Sequence, residues 1–266
     1  MFKSVAENLM PVFFIAHGAP TLAIEQGPYV DFLTKLHKTI QKPEAIVIFS
    51  AHYESPVQLI GSVKQYETIY DFYGFPKALY EMTYPAKGHQ ALAQEIHELF
   101  KANNIKSALD DERGIDHGAW TVLKLMYPEC DIPVVTLSVD PDKNPQEHYN
   151  IGKALAPLRE KGVLIIGSGN SVHNLRALNW YDVNAPTDKW ALEFDDWIEK
   201  QLKDWNVDEL LQYEKKAPHF RKAVPSCEHF IPIILAAGAA DGTRKVQPIH
   251  RSSQFGNLTY FPFRFD

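Results

Sequence analysis

Residues 163–173 read Val-Leu-Ile-Ile-Gly-Ser-Gly-Asn-Ser-Val-His, an apolar run followed by small and polar residues and a histidine. The run Val163–Ile166 does not alternate apolar with polar side chains, so it predicts a strand that is buried on both faces. Three similar runs occur elsewhere, at Val12–Ala16, Ala45–Ser50 and Ile132–Val139. Strands of this kind are typical of parallel sheets, which need helical crossovers between them.

Helical patterns lie between these apolar runs. In Gln90–Ala102 and Lys189–Trp205 apolar residues recur on one face and charged residues occupy the other. Ala119–Met126 and His148–Arg159 are also predicted as helices. Strands that alternate with helices predict an α/β fold, layered around a mainly parallel or mixed sheet.

Weaker signals complete this outline. Val57–Val63 is predicted as a fifth strand, and Leu258–Phe263 as an edge strand near the C-terminus. Gln65–Pro85 and Asn179–Asp188 are predicted as long loops, and loops of this length often carry function.

Composition excludes several classes of protein. The chain has 266 residues, 45% of them hydrophobic, and its 27 Lys and Arg against 33 Asp and Glu give a net charge of −6. Since the basic residues form no cluster, we expect neither nucleic-acid binding nor a membrane-binding patch. The apolar run Leu9–Ala16 continues into His17 without a cleavage site, so it predicts a strand rather than a signal peptide.

The rest of the composition is that of an ordinary globular protein. No linker divides the chain, so we expect one domain over residues 1–266. The two cysteines, Cys130 and Cys227, form neither a disulfide framework nor a CxxC metal motif, and so few cysteines are consistent with the cytoplasm. We read Cys227 as an inert thiol. The sequence leaves the oligomeric state open.

Histidines follow three of the predicted strands directly or within a few residues: His17, His52 and His173. Because parallel strands end at the same edge of a sheet, where ligands bind in open α/β folds, we expect these side chains to meet there. A lone histidine after a strand is more often a cap or a turn residue, but three together favour a metal site or a general base. His117 and His229, in short loops before apolar segments, are candidates for the same crevice.

The other histidines lie on helix faces or in polar loops and are predicted to be solvated: His37, His89, His97, His148, His219 and His250. The pair Asp195-Asp196 is predicted to be solvated on the polar face of a helix rather than to bind metal. The segment Gly167–Gly169 matches neither a serine-hydrolase elbow nor a phosphate-binding loop.

Taken in order, a set of short motifs resembles the LigB-type extradiol ring-cleaving dioxygenases, and within them the branch that contains the DOPA dioxygenases. The matching segments cover nearly the whole chain and are His17–Pro20, Ser50–Tyr53, Asp71–Pro76, Tyr84–Ala86, Asp116–Trp120, Gly167–Asn170, Val172–Leu175 and Glu228–Phe230. The resemblance implies a three-layer α/β/α domain with a mononuclear metal site.

The resemblance also implies roles for individual residues. His17, His52 and His229 match the metal ligands of this branch. His173 matches the catalytic acid/base, which is sometimes counted as a fourth metal contact, and His117 matches a second active-site histidine. Ring-cleaving relatives elsewhere in the superfamily use a carboxylate as the third ligand, so at this stage Glu228 and His229 both remain candidates.

The expected activity is the metal-dependent insertion of O2 into the ring of a catechol, with L-DOPA as the nearest named substrate and 4,5-cleavage as its regiochemistry. The substrates are therefore a small-molecule catechol and O2. Iron(II) is expected for turnover, and zinc is a second ion that the same site accepts. Phe75 and Tyr73, in the aromatic loop Tyr70–Phe75, are expected to contact the ring.

Two other functions remain open from the sequence. The first is a hydrolase that uses zinc-bound water as its nucleophile on a similar scaffold. The second is a module that binds a metal or a catechol without catalysis. The ordered motif set favours the dioxygenase over both.

Overall fold

A computed structural model of the chain describes residues 9–266. The strands are β1 Val12–Ala16, β2 Ala45–Glu54, β3 Gln58–Gly61, β4 Ser107–Asp110, β5 Val134–Val139, β6 Val163–Gly169, β7 Val246–Pro248, β8 Ser252–Gln254, β9 Leu258–Tyr260 and β10 Phe263–Phe265. The α-helices are α1 Pro28–Leu36, α2 Lys77–Tyr80, α3 Gln90–Ala102, α4 His117–Met126, α5 Pro145–Ala154, α6 Lys189–Lys203, α7 Val207–Leu210, α8 Tyr213–Lys216, α9 Phe220–Ala223 and α10 Ile231–Ala239.

Eight strands form one mixed sheet in the order β4-β3-β5-β2-β6-β1-β10-β7, and β8 and β9 form a separate two-stranded sheet. The central strands β5, β2, β6 and β1 are parallel to one another. Their carboxyl ends therefore share one edge, as the sequence predicts. Antiparallel pairs flank this block, where β10 lies beside β1 and β3 beside β5.

Helices cover both faces of the sheet. Along β1, Val12 and Phe14 pack into one core with helices α3, α5, α6 and α10. Phe13 and Ile15 pack into a second core with α1 and α4. This arrangement confirms the α/β/α fold, and it explains why the central strands carry apolar residues on both of their faces: both faces are buried.

The C-terminal strand differs from the prediction. Leu258–Phe263 is not one edge strand, because the chain crosses from one sheet to the other between Tyr260 and Phe263. Pro262 stands at this crossing, where its missing N–H interrupts no ladder. The second half, β10, then inserts between β1 and β7, so that β7 forms the edge.

Three helices differ from their predicted bounds, and α4 starts at His117 rather than Ala119. Helix α5 starts at Pro145, because Asn144 and Glu147 form a reciprocal capping box, and it ends at Ala154. His148 is on its buried face at 2% exposure, so the prediction that it is solvated was wrong. Helix α6 ends at Lys203 rather than Trp205.

Among the other histidines predicted to be solvated, His219 is exposed and the remaining four are half-buried. Asp195 also differs from its prediction, at 1% exposure on the face of α6 that carries Phe194 and Ile198. Asp196, one position further round the helix, is exposed as predicted.

Helix α10 packs closely on α5 through two glycines. A Cβ on Gly152 would clash with the carbonyl oxygen of Leu235, and a Cβ on Gly238 would clash with that of Tyr149. The absence of side chains at both positions lets the two backbones touch. His229 precedes α10 by two residues, so this contact sets where that histidine sits.

Over residues 9–266, no helix combines the length and apolar character that crossing a membrane requires. Both cysteines are free thiols.

Candidate metal centre

Five histidines from five separate segments meet at the carboxyl edge of the sheet. His17 follows β1, and His52 lies near the end of β2, which runs four residues beyond its predicted limit. His173 follows β6, His117 is the first residue of α4, and His229 precedes α10. Neighbouring rings in this histidine cluster have centroids 3.5–5.6 Å apart.

Three of the five direct the same ring nitrogen to one point. Nε2 of His52 lies 3.2 Å from Nε2 of His17 and 3.2 Å from Nε2 of His229. A histidine nitrogen binds zinc at about 2.0–2.1 Å, which puts tetrahedral donors about 3.3 Å apart. The spacing of the three nitrogens therefore matches that of ligands around a single divalent ion.

The partners of the opposite ring nitrogens fix the tautomers. Nδ1 of His17 lies 3.0 Å from Oγ of Ser168, whose own proton goes to the carbonyl of Gly118. The serine oxygen must therefore accept, and His17 donates at Nδ1. Nδ1 of His229 lies 2.9 Å from Oε1 of Glu228, and Nδ1 of His52 lies 3.4 Å from Oδ2 of Asp71.

A carboxylate only accepts hydrogen bonds, so His229 also carries its proton on Nδ1, and the longer contact with Asp71 favours the same tautomer for His52. Each of the three Nε2 atoms then presents a lone pair to the common point. Lone pairs at 3.2 Å repel one another unless a cation lies between them, so the donor set fits a metal ion. Glu228 lies on the Nδ1 side of His229, away from the point where the three Nε2 atoms converge.

Burial keeps these imidazoles neutral. Desolvation lowers the pKa of His17 and His229 well below the usual value and lowers that of His52 to about 4. Neutral imidazole is the form that binds a metal, so the cluster needs no proton release from these nitrogens at pH 7.

His173 and His117 lie beside the three converging nitrogens. The ring of His173 stacks on that of His229 with centroids 3.5 Å apart, and desolvation lowers its pKa to about 4. His117 donates both its backbone N–H and its Nδ1–H to Oδ1 of Asp71, over 3.0 and 2.9 Å. Burial acts to raise the pKa of Asp71, but the hydrogen bonds from His117 bring it down to about 2.

Gly118 explains how α4 comes so close to the cluster. A Cβ at this position would lie 2.6 Å from Oγ of Ser50 and 3.0 Å from the ring of His52. Ser50 in turn donates to the carboxylate of Asp116, the residue before α4, over 2.5 Å. The Asp-His-Gly motif therefore places its histidine at the sheet edge by close backbone packing.

A cavity of about 220 Å³ opens beside the cluster. Histidines form one end of it: His52, His117, His173 and His229. Apolar residues and one glycine form the rest: Gly18, Ala19, Pro20, Phe72, Phe75, Leu175, Leu178, Trp180, Phe255 and Leu258. The histidine end can bind polar oxygens, and the rest suits a planar ring.

The structure brings Phe75 to this cavity but not Tyr73, whose side chain is 92% exposed. Gly74, with φ of +76°, turns the chain between the two, and Tyr73 points outward at that turn. Phe72 takes the inner position instead and meets the ring of His117 edge-on. Sequence reasoning missed Phe72 and Trp180 as lining residues, although both lie in loops that it singled out.

This fold, with a histidine cluster that could hold a metal at its sheet edge, defines a metal-dependent α/β enzyme. Residues 11–262 match the family described as the catalytic LigB subunit of aromatic ring-opening dioxygenase. The chain is 42% identical over 264 residues to the 4,5-DOPA dioxygenase extradiol of Beta vulgaris, which covers 97% of each chain. It is 37% identical over 258 residues to the protein of that name from Escherichia coli K12, covering 96% of this chain and 94% of the relative.

A solved structure agrees with these matches. The crystal structure of an uncharacterized protein from Escherichia coli K12 superposes with a TM-score of 0.80 at 32% identity, covering 97% of this chain and all (100%) of the other. The chain therefore belongs to the LigB family and is an extradiol aromatic ring-opening dioxygenase, as the motif set predicts.

Proposed function

We propose that this chain cleaves the ring of a catechol by inserting both atoms of O2, with L-DOPA as the nearest named substrate and the 4,5 bond as the position of cleavage. The observation that carries the proposal is the convergence of three Nε2 lone pairs at one end of a cavity of ring size. The relatives named 4,5-DOPA dioxygenase extradiol support the choice of substrate.

His17, His52 and His229 are the proposed metal ligands, and their tautomers support this set over one that uses Glu228. Iron(II), the proposed metal for turnover, supplies an electron path between a bound catechol and O2. Zinc fits the same three nitrogens but has no redox chemistry, so it is proposed as a competing ion. Three protein ligands leave coordination positions for substrate oxygens.

His173 is the proposed general base. Its ring lines the cavity next to His229, and its lowered pKa leaves it neutral and able to accept a proton at pH 7. It would take a proton from a catechol hydroxyl and return it later in the reaction. His173 is also the proposed fourth contact of the metal. His117 holds its proton at Nδ1, so its Nε2 is free to accept a hydrogen bond from the substrate.

The apolar end of the cavity supports an aromatic substrate. Phe72 and Phe75 are proposed to pack on the catechol ring, and Trp180 and Phe255 on whatever the ring carries. Among the residues described, no lysine, arginine, aspartate or glutamate lines the cavity. The amino and carboxylate groups of L-DOPA are therefore proposed to reach toward solvent at the cavity mouth.

The deciding experiment measures O2 consumption by protein purified anaerobically and loaded with iron(II), with L-DOPA, catechol and 4-methylcatechol as substrates. We expect a yellow ring-opened product with one O2 consumed for each ring, and no turnover by the zinc-loaded protein. Catechol binding without O2 uptake, with iron demonstrably bound, would overturn the proposal in favour of a binding module.

We extend the proposal to the organisation of the chain. One catalytic domain over residues 1–266 is supported by β1 and β10, which come from opposite ends of the chain and are paired in the sheet. A cytoplasmic location is supported by the two free thiols, since disulfides are rare there.

A further inference from the structure

One carboxylate, that of Asp71, serves two of the five histidines. It lies in the loop between β3 and α2, and its side chain is 21% exposed. Oδ1 accepts the backbone N–H and the Nδ1–H of His117, over 3.0 and 2.9 Å. Oδ2 faces Nδ1 of His52 at 3.4 Å. The two oxygens therefore have separate tasks.

We infer that Asp71 is a positioning residue that controls the two functions of the site through different oxygens. Oδ1 orients His117, which faces the substrate, and Oδ2 supports His52, which holds the metal. This inference rests on the proposed function for the role of His117, whereas its effect on metal binding stands without it.

The contact with His117 fixes a whole side chain. Because one oxygen takes two donors of the same residue, it sets both the first turn of α4 and the rotation of the ring. It also fixes the tautomer, so that Nε2 presents a lone pair to the cavity. Without the carboxylate, the ring could turn away, or its proton could move to Nε2, which would then present an N–H to the cavity instead of a lone pair.

The contact with His52 acts on the metal. A carboxylate beside the distal nitrogen of a metal-bound histidine orients the ring and raises the basicity of the ligand nitrogen. Loss of such a partner typically costs about 10–100-fold in metal affinity or activity. At 3.4 Å this contact is longer than an ideal hydrogen bond, so we expect an effect near the lower end of that range.

The same residues raise a competing explanation, because donor atoms of His52, Asp71 and His117 lie within 4.8 Å of one another and could hold a second metal ion. The backbone N–H of His117 argues against it. Oδ1 already accepts both that N–H and the Nδ1–H of His117, so the carboxylate oxygen on the side of His117 is occupied by protons. The hydrogen-bonded arrangement satisfies the carboxylate without a cation.

Two substitutions separate the tasks of Asp71. In Asp71→Asn the amide oxygen can still accept from His117, but the amide NH2 meets Nδ1–H of His52, so two donors face each other. In Asp71→Ala both contacts are lost. Glu67→Gln is the matched control, since it removes one negative charge from an exposed position in the same loop.

Zinc(II) and iron(II) affinities are measured by competition with a chelator, and kcat and KM for catechol are measured at saturating iron(II). We expect both Asp71 variants to bind metal about tenfold more weakly. We expect kcat to fall more than tenfold in Asp71→Ala and less than threefold in Asp71→Asn. Glu67→Gln should match the wild type in both measurements.

Three results would overturn the inference. They are unchanged metal affinity in both variants, equal losses of kcat in both, or two metal ions per wild-type chain that fall to one in Asp71→Ala. Should the alanine variant fail to fold, Asp71→Asn alone decides, because its affinity must fall while most of its kcat remains. A wild-type protein that cleaves no catechol would defeat the proposed function, yet the affinity measurements would still test the contact with His52.

Discussion

Burial shifts the pKa values of the histidine cluster and of Asp195 in opposite directions. Desolvation lowers the pKa of His17, His52 and His229, and it raises the pKa of Asp195 to about 7. In both cases the neutral form is favoured. A neutral imidazole binds metal ions, whereas a neutral carboxylic acid does not. Desolvation therefore favours metal binding at the histidine cluster and disfavours it at Asp195.

The two regions also differ in their hydrogen bonds. Each of the three converging histidines faces an oxygen with its Nδ1, and the three Nε2 atoms face one another. Asp195 accepts from Ser171 over 2.6 Å at one oxygen, but its Oδ2 has no partner among the residues described. Ordered partners therefore distinguish the cluster from a merely buried polar group.

The largest loss of metal binding and activity is expected for His17→Ala. Removal of one of three converging nitrogens leaves two donors, and the variant should lose its metal and fall to background turnover. Metal content per chain after dialysis tests this directly. Stoichiometric metal in the folded variant would contradict the assignment of His17 as a ligand.

His173→Ala should separate metal binding from proton transfer within the cluster. The variant should keep its metal, because the three converging nitrogens remain, while kcat falls by about 10²–10⁴, the usual contribution of a general base. Metal analysis and O2 uptake on the same sample provide the test. Wild-type turnover in this variant would remove the assigned role.

Two serines test the difference between the two regions, because one contacts the histidine cluster and the other contacts Asp195. Ser168 accepts from His17, and Ser171 donates to Asp195. Ser168→Ala should weaken metal affinity by about tenfold, because the distal nitrogen of a ligand loses its acceptor. Ser171→Ala should leave metal affinity unchanged and is the matched control. Equal affinities in the two variants would count against the tautomer assigned to His17.

The smallest effect on catalysis is expected from Asp195→Asn. This variant tests, through the free energy of unfolding, whether Asp195 is neutral in the folded protein. The folded-state pKa of Asp195, about 7, lies above the usual aspartate value of 3.8, so the wild type loses stability as pH rises between these values. One group contributes a slope of at most about 1.4 kcal/mol per pH unit. Urea unfolding of the variant should therefore show a gain over wild type that grows from pH 4 to pH 7. A constant difference across this range would mean that Asp195 is ionised in the folded protein.

Much of the fold follows from the sequence, because burial on both faces leaves a local pattern. Val12–Ala16 and Gln90–Ala102 have the bounds predicted for them. The pattern fails where the tertiary structure decides, as at Leu258–Phe263, whose halves enter different sheets. At the edge of the apolar face of an amphipathic helix, the sequence pattern does not decide which side chain is buried. The buried Asp195 and the exposed Asp196 therefore cannot be told apart from the sequence.

The candidate site follows from the sequence only as a set of residues. The meeting of His17, His52 and His173 is predictable, because strand ends converge in a parallel sheet, whereas His117 and His229 are only candidates for the same crevice. Which nitrogen each histidine presents is not, since Ser168 and Asp71 are far away in the chain. The outward turn at Gly74 likewise depends on backbone geometry, and it places Tyr73 outside the cavity that Phe75 lines.

The glycine contact between α5 and α10 has a consequence for protein engineering. Replacing glycine by alanine is a common route to a more heat-resistant enzyme, worth about 0.4–1 kcal/mol where the backbone allows it. At Gly152 and Gly238 the added methyl would force the helices apart. It would also shift His229, which lies in the histidine cluster two residues before α10. Gly→Ala at either position should therefore lower both stability and metal retention, and a stabilisation campaign should exempt both glycines.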